Sequence, residues 1–203
     1  MNYFKHFKKC ILIIGCTFLV QHIQAQQPAP NTRAAILKSR EADLVYPIVK
    51  GSPSTGVLPV TEVSFPFTHK GKCKVVFDLG YLAEKGQVNG GLEEATRIFN
   101  LHVAAGVKKE NLDAYIVFHG PAVASMLDDD LFNKQFQVNN PNLPLVKQLQ
   151  DAGVKFVVCG QTIGLRKLSL EAFPDGTLKA FSARTALSDL VQRGYMLYDV
   201  SKD

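Results

Sequence analysis

Hydrophobic and polar positions change period several times along the chain, and each change marks an element. Val75-Val76-Phe77-Asp78-Leu79 is a short apolar run. Asp113 to His119, with Tyr115, Ile116, Val117 and Phe118, is a second, and Val154 to Cys159 is a third. Runs this short, without strict alternation, suit strands covered on both faces. Thr177 to Phe181 and Tyr195 to Val200 extend the series to five. Between them the period lengthens. Leu92, Ala95, Phe99 and Val103 line one side of a predicted helix over Leu92 to Ala105, ending at Gly106. Ala122 to Phe136 predicts one or two short helices, broken by Asn139-Asn140-Pro141-Asn142. Pro144 to Ala152 predicts another, with Leu145, Val146 and Leu149 inward. A short helical stretch follows around Ile163 to Phe173, and a last helix over Ala183 to Arg193. Strand and helix alternate, so right-handed crossovers give an α/β fold: a single five-stranded, mainly parallel sheet with helices on both faces.

The pattern changes again upstream. Residues 26–71 predict an extended N-terminal arm, leaving 72–203 as the α/β domain. Gln26-Gln27-Pro28-Ala29-Pro30 is polar and proline-rich, and Thr32 to Asp43 has the makings of a short helix. Tyr46 to Lys70 is rich in Pro, Gly, Ser and Thr, yet Tyr46, Val57, Leu58, Val60, Phe65 and Phe67 are too apolar for a free linker. The expectation is an ordered arm, packed on its own domain or on a neighbouring subunit.

Residues 1–25 read as a secretory signal peptide. Lys5, Lys8 and Lys9 precede an apolar run from Cys10 to Val20, and cleavage is expected between Ala25 and Gln26. Ile13-Ile14-Gly15-Cys16 resembles a lipobox, but the apolar run continues past Cys16, so simple cleavage and export, to a periplasm, is the favoured reading over a lipoprotein. No stretch is long and apolar enough to cross a membrane. Removing residues 1–25 takes away three lysines and no acids, lowering the formal charge from +5 to +2. No basic and aromatic cluster then remains to suggest nucleic acid.

Cys73 and Cys159 are the cysteines left after such cleavage. Export invites a disulfide, but Cys73 opens the first core strand and Cys159 closes a later one. In parallel strands of about six residues, at ~3.3 Å per residue, those points lie roughly 20 Å apart. A disulfide requires Cα atoms within about 7 Å.

Cys159 ends its strand and is followed by Gly160-Gln161-Thr162. In open α/β sheets the carboxyl rim of the strands collects ligands and chemistry. A thiol there, near the unpaired N–H groups of a helix start, becomes a nucleophilic thiolate. The plainer account is a small buried hydrophobe at a strand end. His119, in Phe118-His119-Gly120-Pro121, and Asp78 end the other two central strands on the same rim. Together they can supply an imidazole partner for the thiolate, or simply mark where loops begin. Gln161 and Thr162 can donate to an anion on Cys159 or satisfy local backbone. His102 reads as a partly buried core histidine. Asn89-Gly90-Gly91 can cradle an anion ahead of its helix but lacks the fuller glycine pattern of a nucleotide site. Asp128-Asp129-Asp130 reads as a solvated helix end. No Cys-x-x-Cys, His-x-x-x-His or Gly-x-Ser-x-Gly spacing occurs, so neither metal nor cofactor is expected.

With these residues in view, 72–200 resembles the DsrE/DsrF-like sulfur-relay family. The likeness runs through Lys74-Val75-Val76-Phe77-Asp78, Val117-Phe118-His119-Gly120-Pro121, Asn140-Pro141-Asn142 and Val158-Cys159-Gly160-Gln161-Thr162, ending at Leu190 to Tyr195. It implies a five-stranded α/β layer, assembly into trimers or hexamers, and a persulfide carried on Cys159. His119 would be a proton partner, with Asp78, Gly120, Gly160, Gln161 and Thr162 shaping the pocket. The partners implied are a sulfur donor and an acceptor thiol. Family members with assigned roles are cytoplasmic, and the signal-like N-terminus departs from them. The alternative is a non-catalytic oligomeric binding module with a structural Cys159. A thiol-redox sensor would need a resolving cysteine from another subunit.

Overall fold

The five apolar runs become five parallel strands in the computed structural model, which describes residues 33–201. The signal-peptide reading of residues 1–25, its lipobox alternative and the start of the arm fall outside that range. Strands β1 (Cys73–Leu79), β2 (Leu112–Phe118), β3 (Lys155–Cys159), β4 (Leu178–Ala180) and β5 (Met196–Asp199) form one sheet in the order β4-β3-β2-β1-β5. Every pairing is parallel. Helices α1 (Arg33–Ser39), α2 (Gly90–Ala104), α3 (Asp129–Phe136), α4 (Leu143–Asp151), α5 (Gly160–Leu165) and α6 (Ala183–Gln192) lie in the arm and the crossovers.

The two sheet faces are covered unequally. Val75, Phe77, Ile116, Phe118, Phe156 and Val158 point into the main core, against Leu92 and Phe99 of α2 and Leu145 and Leu149 of α4. Val76, Val117, Val157 and Cys159 point the other way, into a smaller cluster with Ala183 and Leu190 of α6 and with Tyr195. Burial on both faces explains why β1 and β3 read as continuous apolar runs rather than alternating ones.

Three elements differ from the sequence expectation. The stretch expected around Ile163 to Phe173 is α5, which begins at Gly160 directly after β3, and a separate 3-10 turn at Leu170–Ala172. Gly90 and Gly91 lie inside α2, and the Asn89 side chain caps the helix by accepting from the Gly91 and Leu92 N–H groups. That carboxamide occupies the donors an anion would need. Asp128 is a working N-cap, accepting from Leu131 N–H at 2.7 Å, rather than a merely solvated residue.

The arm divides in two. Leu44, Val49 and Val57 are buried on the domain, and Val45 and Val57 pair through an antiparallel bridge. Asn100 of α2 holds this half. Its Oδ1 accepts from Ile48 and Val49 N–H, both at 3.1 Å, and its Nδ2 donates to the Val49 and Thr55 carbonyls at 2.8 and 2.9 Å. The second half leaves Val60, Val63 and Phe65 exposed, Phe65 at 92%. With Leu101 and Ala104 of α2 and Ala105, its C-cap, they line an apolar groove of about 430 Å³. Among the described residues no helix is long and apolar enough to cross a membrane.

Candidate functional site

Strand register brings three polar residues to one place. Asp78 pairs with Val117, which pairs with Val157. Side chains alternate with a period of two, so His119 and Cys159, each two residues further on, share the face of Val117 and Val157. Asp78, His119 and Cys159 therefore all project on the α6 side of the sheet at its carboxyl rim. His119 directly follows β2 and Cys159 ends β3 at the same level, and Asp78 sits two residues below His119 in the register.

The Asp78 carboxylate and the His119 ring form an ion pair, Nε2 to Oδ1 at 2.8 Å. The Asp78 hydrogen bond, aided by its charge and that of Cys159, raises the His119 pKa above the ordinary imidazole value against the opposing pull of burial and of Arg184. Among the described residues no hydrogen bond joins His119 to Cys159; their interaction is electrostatic.

Gly80 makes room for this ring. A Cβ at residue 80 would meet His119 Cε1 at 2.6 Å and Nε2 at 2.9 Å. The Gly80 N–H donates to Ser201 Oγ at 2.6 Å, and Ser201 donates onward to the Asp78 carbonyl at 3.1 Å. The backbone beneath the imidazole is thus tied to the end of β5.

Cys159 is the N-cap residue of α5 but makes no side-chain cap hydrogen bond. Among the described residues no hydrogen bond of ordinary geometry ends on its sulfur, and nearby donors act on it through their electrostatics. Burial opposes ionisation, but the Thr162 hydroxyl and the backbone N–H groups of Thr162, Ala183 and Gln161 outweigh it, so the thiol pKa lies below its ordinary value. Favouring the charged form over the neutral one is what shifts the balance. The Thr162 hydroxyl oxygen also accepts from Gly120 N–H at 3.1 Å. The Gln161 side chain donates to the Phe181 carbonyl at 3.3 Å. Its contribution to the thiol comes through the backbone.

Gly160 has no alternative. A Cβ there would meet the Ala180 carbonyl oxygen at 2.5 Å and that of Phe181 at 3.1 Å. This close approach lets the start of α6 close over the thiol. Cys73, on the first residue of β1, is buried and free like Cys159, but burial alone raises its pKa. The two thiols thus have opposite environments, at opposite rims.

Sequence reasoning missed Gly80, Ala183, Arg184 and Ser201. Ala183 lies 24 positions beyond Cys159, and only the pairing of β3 with β4 returns the chain to the thiol. A glycine directly after Asp78-Leu79 is a visible signal, though it reads as an ordinary strand end. Among the described residues no group of His, Cys, Asp and Glu is arranged to hold a metal ion.

A family model described as the DsrE/DsrF-like family matches residues 88–197. The span begins ahead of α2 and includes His119 and Cys159, with β1 and Asp78 upstream of it. Among solved structures, the chain is similar to a protein of unknown function, MTH1491, from Methanobacterium thermoautotrophicum. The identity is 16%, over 62% of this chain and 96% of that one, with a TM-score of 0.48. It is also similar to the ychN protein from E. coli, at 15% identity over 62% of this chain and 98% of that one, with a TM-score of 0.45. No curated protein sequence matches it. Because the family match spans more than half of the 203 residues and takes in strands β2 to β4 with the thiol-bearing strand end, the chain belongs to the DsrE/DsrF-like family.

Proposed function

We propose that this protein is a sulfur carrier of the sulfurtransferase type, holding a persulfide on Cys159 and passing it to an acceptor thiol. The observation that carries this reading is the register that sets Cys159, at the carboxyl end of β3, level with His119 of the Asp78–His119 pair, with nearby donors holding the thiol pKa below its ordinary value despite burial. Family membership is consistent with sulfur relay in general.

The chemistry balances without an outside oxidant. The Cys159 thiolate attacks the outer sulfur of a donor persulfide, R–S–SH. A new S–S bond forms as the donor's own S–S bond breaks. The leaving thiolate takes a proton from the His119 imidazolium, giving R–SH and Cys159–S–SH. In the second half an acceptor thiolate attacks the same outer sulfur, and Cys159 leaves as the thiolate its surroundings stabilise. Asp78 holds the imidazole by Nε2 and favours its protonated form for the first step. Thr162, Gly160 and the Gly120 N–H shape the pocket, and Gln161 adds a backbone N–H.

A second reading draws on the low exposure of Cys159, 6%: a non-catalytic binding module with a structural thiol. Iodoacetamide labelling near neutral pH separates the two. Modification of Cys159 in the folded protein supports the carrier. Labelling only after denaturation supports the module.

The proposal extends to a homo-oligomer exported after removal of residues 1–25. Its supports are the signal-like N-terminal pattern and the exposed apolar groove of the arm.

A further inference from the structure

The smaller cluster, on the thiol's face of the sheet, draws on α6 and on no other helix. Five strands about 4.8 Å apart span roughly 19 Å, whereas a helix with its side chains is about 10–12 Å across. The cover therefore runs out toward the edge strand β4. Leu178 there is 49% exposed, although it lies level with the buried Val157. A second groove, of about 240 Å³, opens at this place. Val157, Leu178 and Ala180 form its floor, and Ala186 and Leu190 of α6 form its wall.

One end of the groove lies beside the thiol. Ala180 is the register partner of Cys159, so its side chain stands on the same face, one strand spacing of about 4.8 Å away. That side chain is a single methyl group, which leaves the floor low next to the sulfur. The far end is Tyr115, which pairs with Lys155 and so lies about 13 Å down the sheet from the level of Cys159. Arg193 lines the same end, paired with Asp189 at 3.0 Å. From Ala186 to Arg193 the wall is about 10 Å long. The start of α6 closes over Cys159 at the rim, leaving the residue 6% exposed. A donor that comes along the groove meets the thiol from the β4 side instead.

Size and lining define what fits. The groove is smaller than the ~300–1,000 Å³ of sites for drug-sized ligands, so it takes a slender small molecule and not a helix. Val157, Ala180 and Ala186, toward the thiol, are apolar. We infer that this groove is the donor subsite, taking low-molecular-weight persulfides, R–S–SH, in which R is a narrow alkyl or aryl group. The inference rests on the carrier reading of Cys159 and names its substrate class. R lies along Val157 and Leu178, with the outer sulfur past Ala180. The Cys159 thiolate attacks that sulfur, Cys159–S–SH forms as the donor S–S bond breaks, and the released R–S⁻ takes the His119 proton.

The test compares benzyl persulfide, which has an apolar body, with inorganic hydrogen disulfide, HS–S⁻, which has none. Intact mass gives the rate at which each adds one sulfur atom to the wild type, Ala186→Phe and Leu178→Asp, with Cys159→Ser identifying the loaded thiol. Ala186→Phe fills the groove. Leu178→Asp places a charge in it at a position already half exposed, and carries the test alone if Ala186→Phe does not fold. The ratio of benzyl to inorganic rates is expected to fall about tenfold or more in each variant, the scale on which an apolar pocket discriminates. A ratio unchanged in either folded variant overturns the groove and leaves the carrier reading intact. So does a wild type that loads from hydrogen disulfide but not from benzyl persulfide. Wild-type Cys159 that gains sulfur from neither probe overturns both.

Discussion

His119 Nε2 lies 2.8 Å from Asp78 Oδ1, although the residues are 41 positions apart. The contact follows from the parallel register of β1 and β2. It fixes the ring beside the level of Cys159 and makes the imidazole a readier cation. Asp78→Asn is therefore expected to lower the His119 pKa from its raised value toward or below ~6.5, the unperturbed figure. Burial and Arg184, which oppose the cation, then act without compensation. Titration of the ring by NMR measures this directly. An unchanged value would show that the pair does not control the imidazole.

The same pair gives a pH dependence of stability. Because the folded pKa is raised, protonation favours the native state. The contribution is fully present below the unfolded value of ~6.5 and is lost as the pH rises through the higher folded value. Urea unfolding should show Asp78→Asn losing more stability just below pH ~6.5 than well above the folded value. Equal losses at both would contradict the linkage.

Gly80→Ala should disturb the site without touching a polar group. The new methyl would lie 2.6 Å from the His119 ring, and the ring is the part free to move. The expected outcome is a folded protein with His119 displaced from Asp78 and a lowered His119 pKa. Retention of the 2.8 Å contact in a crystal structure of the variant would count against it.

Thr162→Val removes the hydroxyl that accepts from Gly120 N–H and that favours the Cys159 thiolate, while keeping side-chain volume. The thiol pKa should rise toward its ordinary value of ~8.5. Iodoacetamide rates measured against pH report the shift, and superimposable profiles would show that the hydroxyl is not needed.

Much of the sheet was legible in the sequence because burial on both faces writes strands as apolar runs. Val75 to Leu79 and Val154 to Cys159 need no partner to be recognised. The strand-end positions of Asp78, His119 and Cys159 were legible too. Their convergence was not, since it depends on register, and one residue of slip would turn a side chain to the other face. The immediate start of α5 was obscured because Gly160 is a poor helix former on propensity. The tertiary demand that wins is the Ala180 carbonyl, which excludes any Cβ at that position. The apolar content of the arm was visible, but nothing in its pattern separates Val49, which is buried, from Val60, which is exposed. Asn100 makes that distinction from α2.

Asn100→Ala should therefore loosen the first half of the arm. It leaves one buried and one partly buried amide and two carbonyls short of a partner, a loss of roughly 2–3 kcal/mol. Chemical denaturation checks the magnitude, and protease sensitivity between residues 44 and 57 checks the location. A change under about 0.5 kcal/mol, the level of an ordinary surface substitution, would show that the arm is held by other contacts.

Val60→Ser with Phe65→Ser tests the proposed assembly. Both side chains are exposed in the single chain, so the fold of the subunit should persist. Burying them against a partner would favour association by about 1.5–3 kcal/mol for each fully covered side chain. Light scattering should show the wild type as an oligomer and the double variant shifted toward the monomer. A monomeric wild type would remove the proposal.

The central claim is that Cys159 carries sulfur, and intact-mass spectrometry after incubation with a persulfide donor tests it most directly. The account predicts the mass of one added sulfur atom on the wild type, removed by an acceptor thiol, and none on Cys159→Ser. Wild-type protein that gains no sulfur, or Cys159→Ser that loads equally, would contradict it.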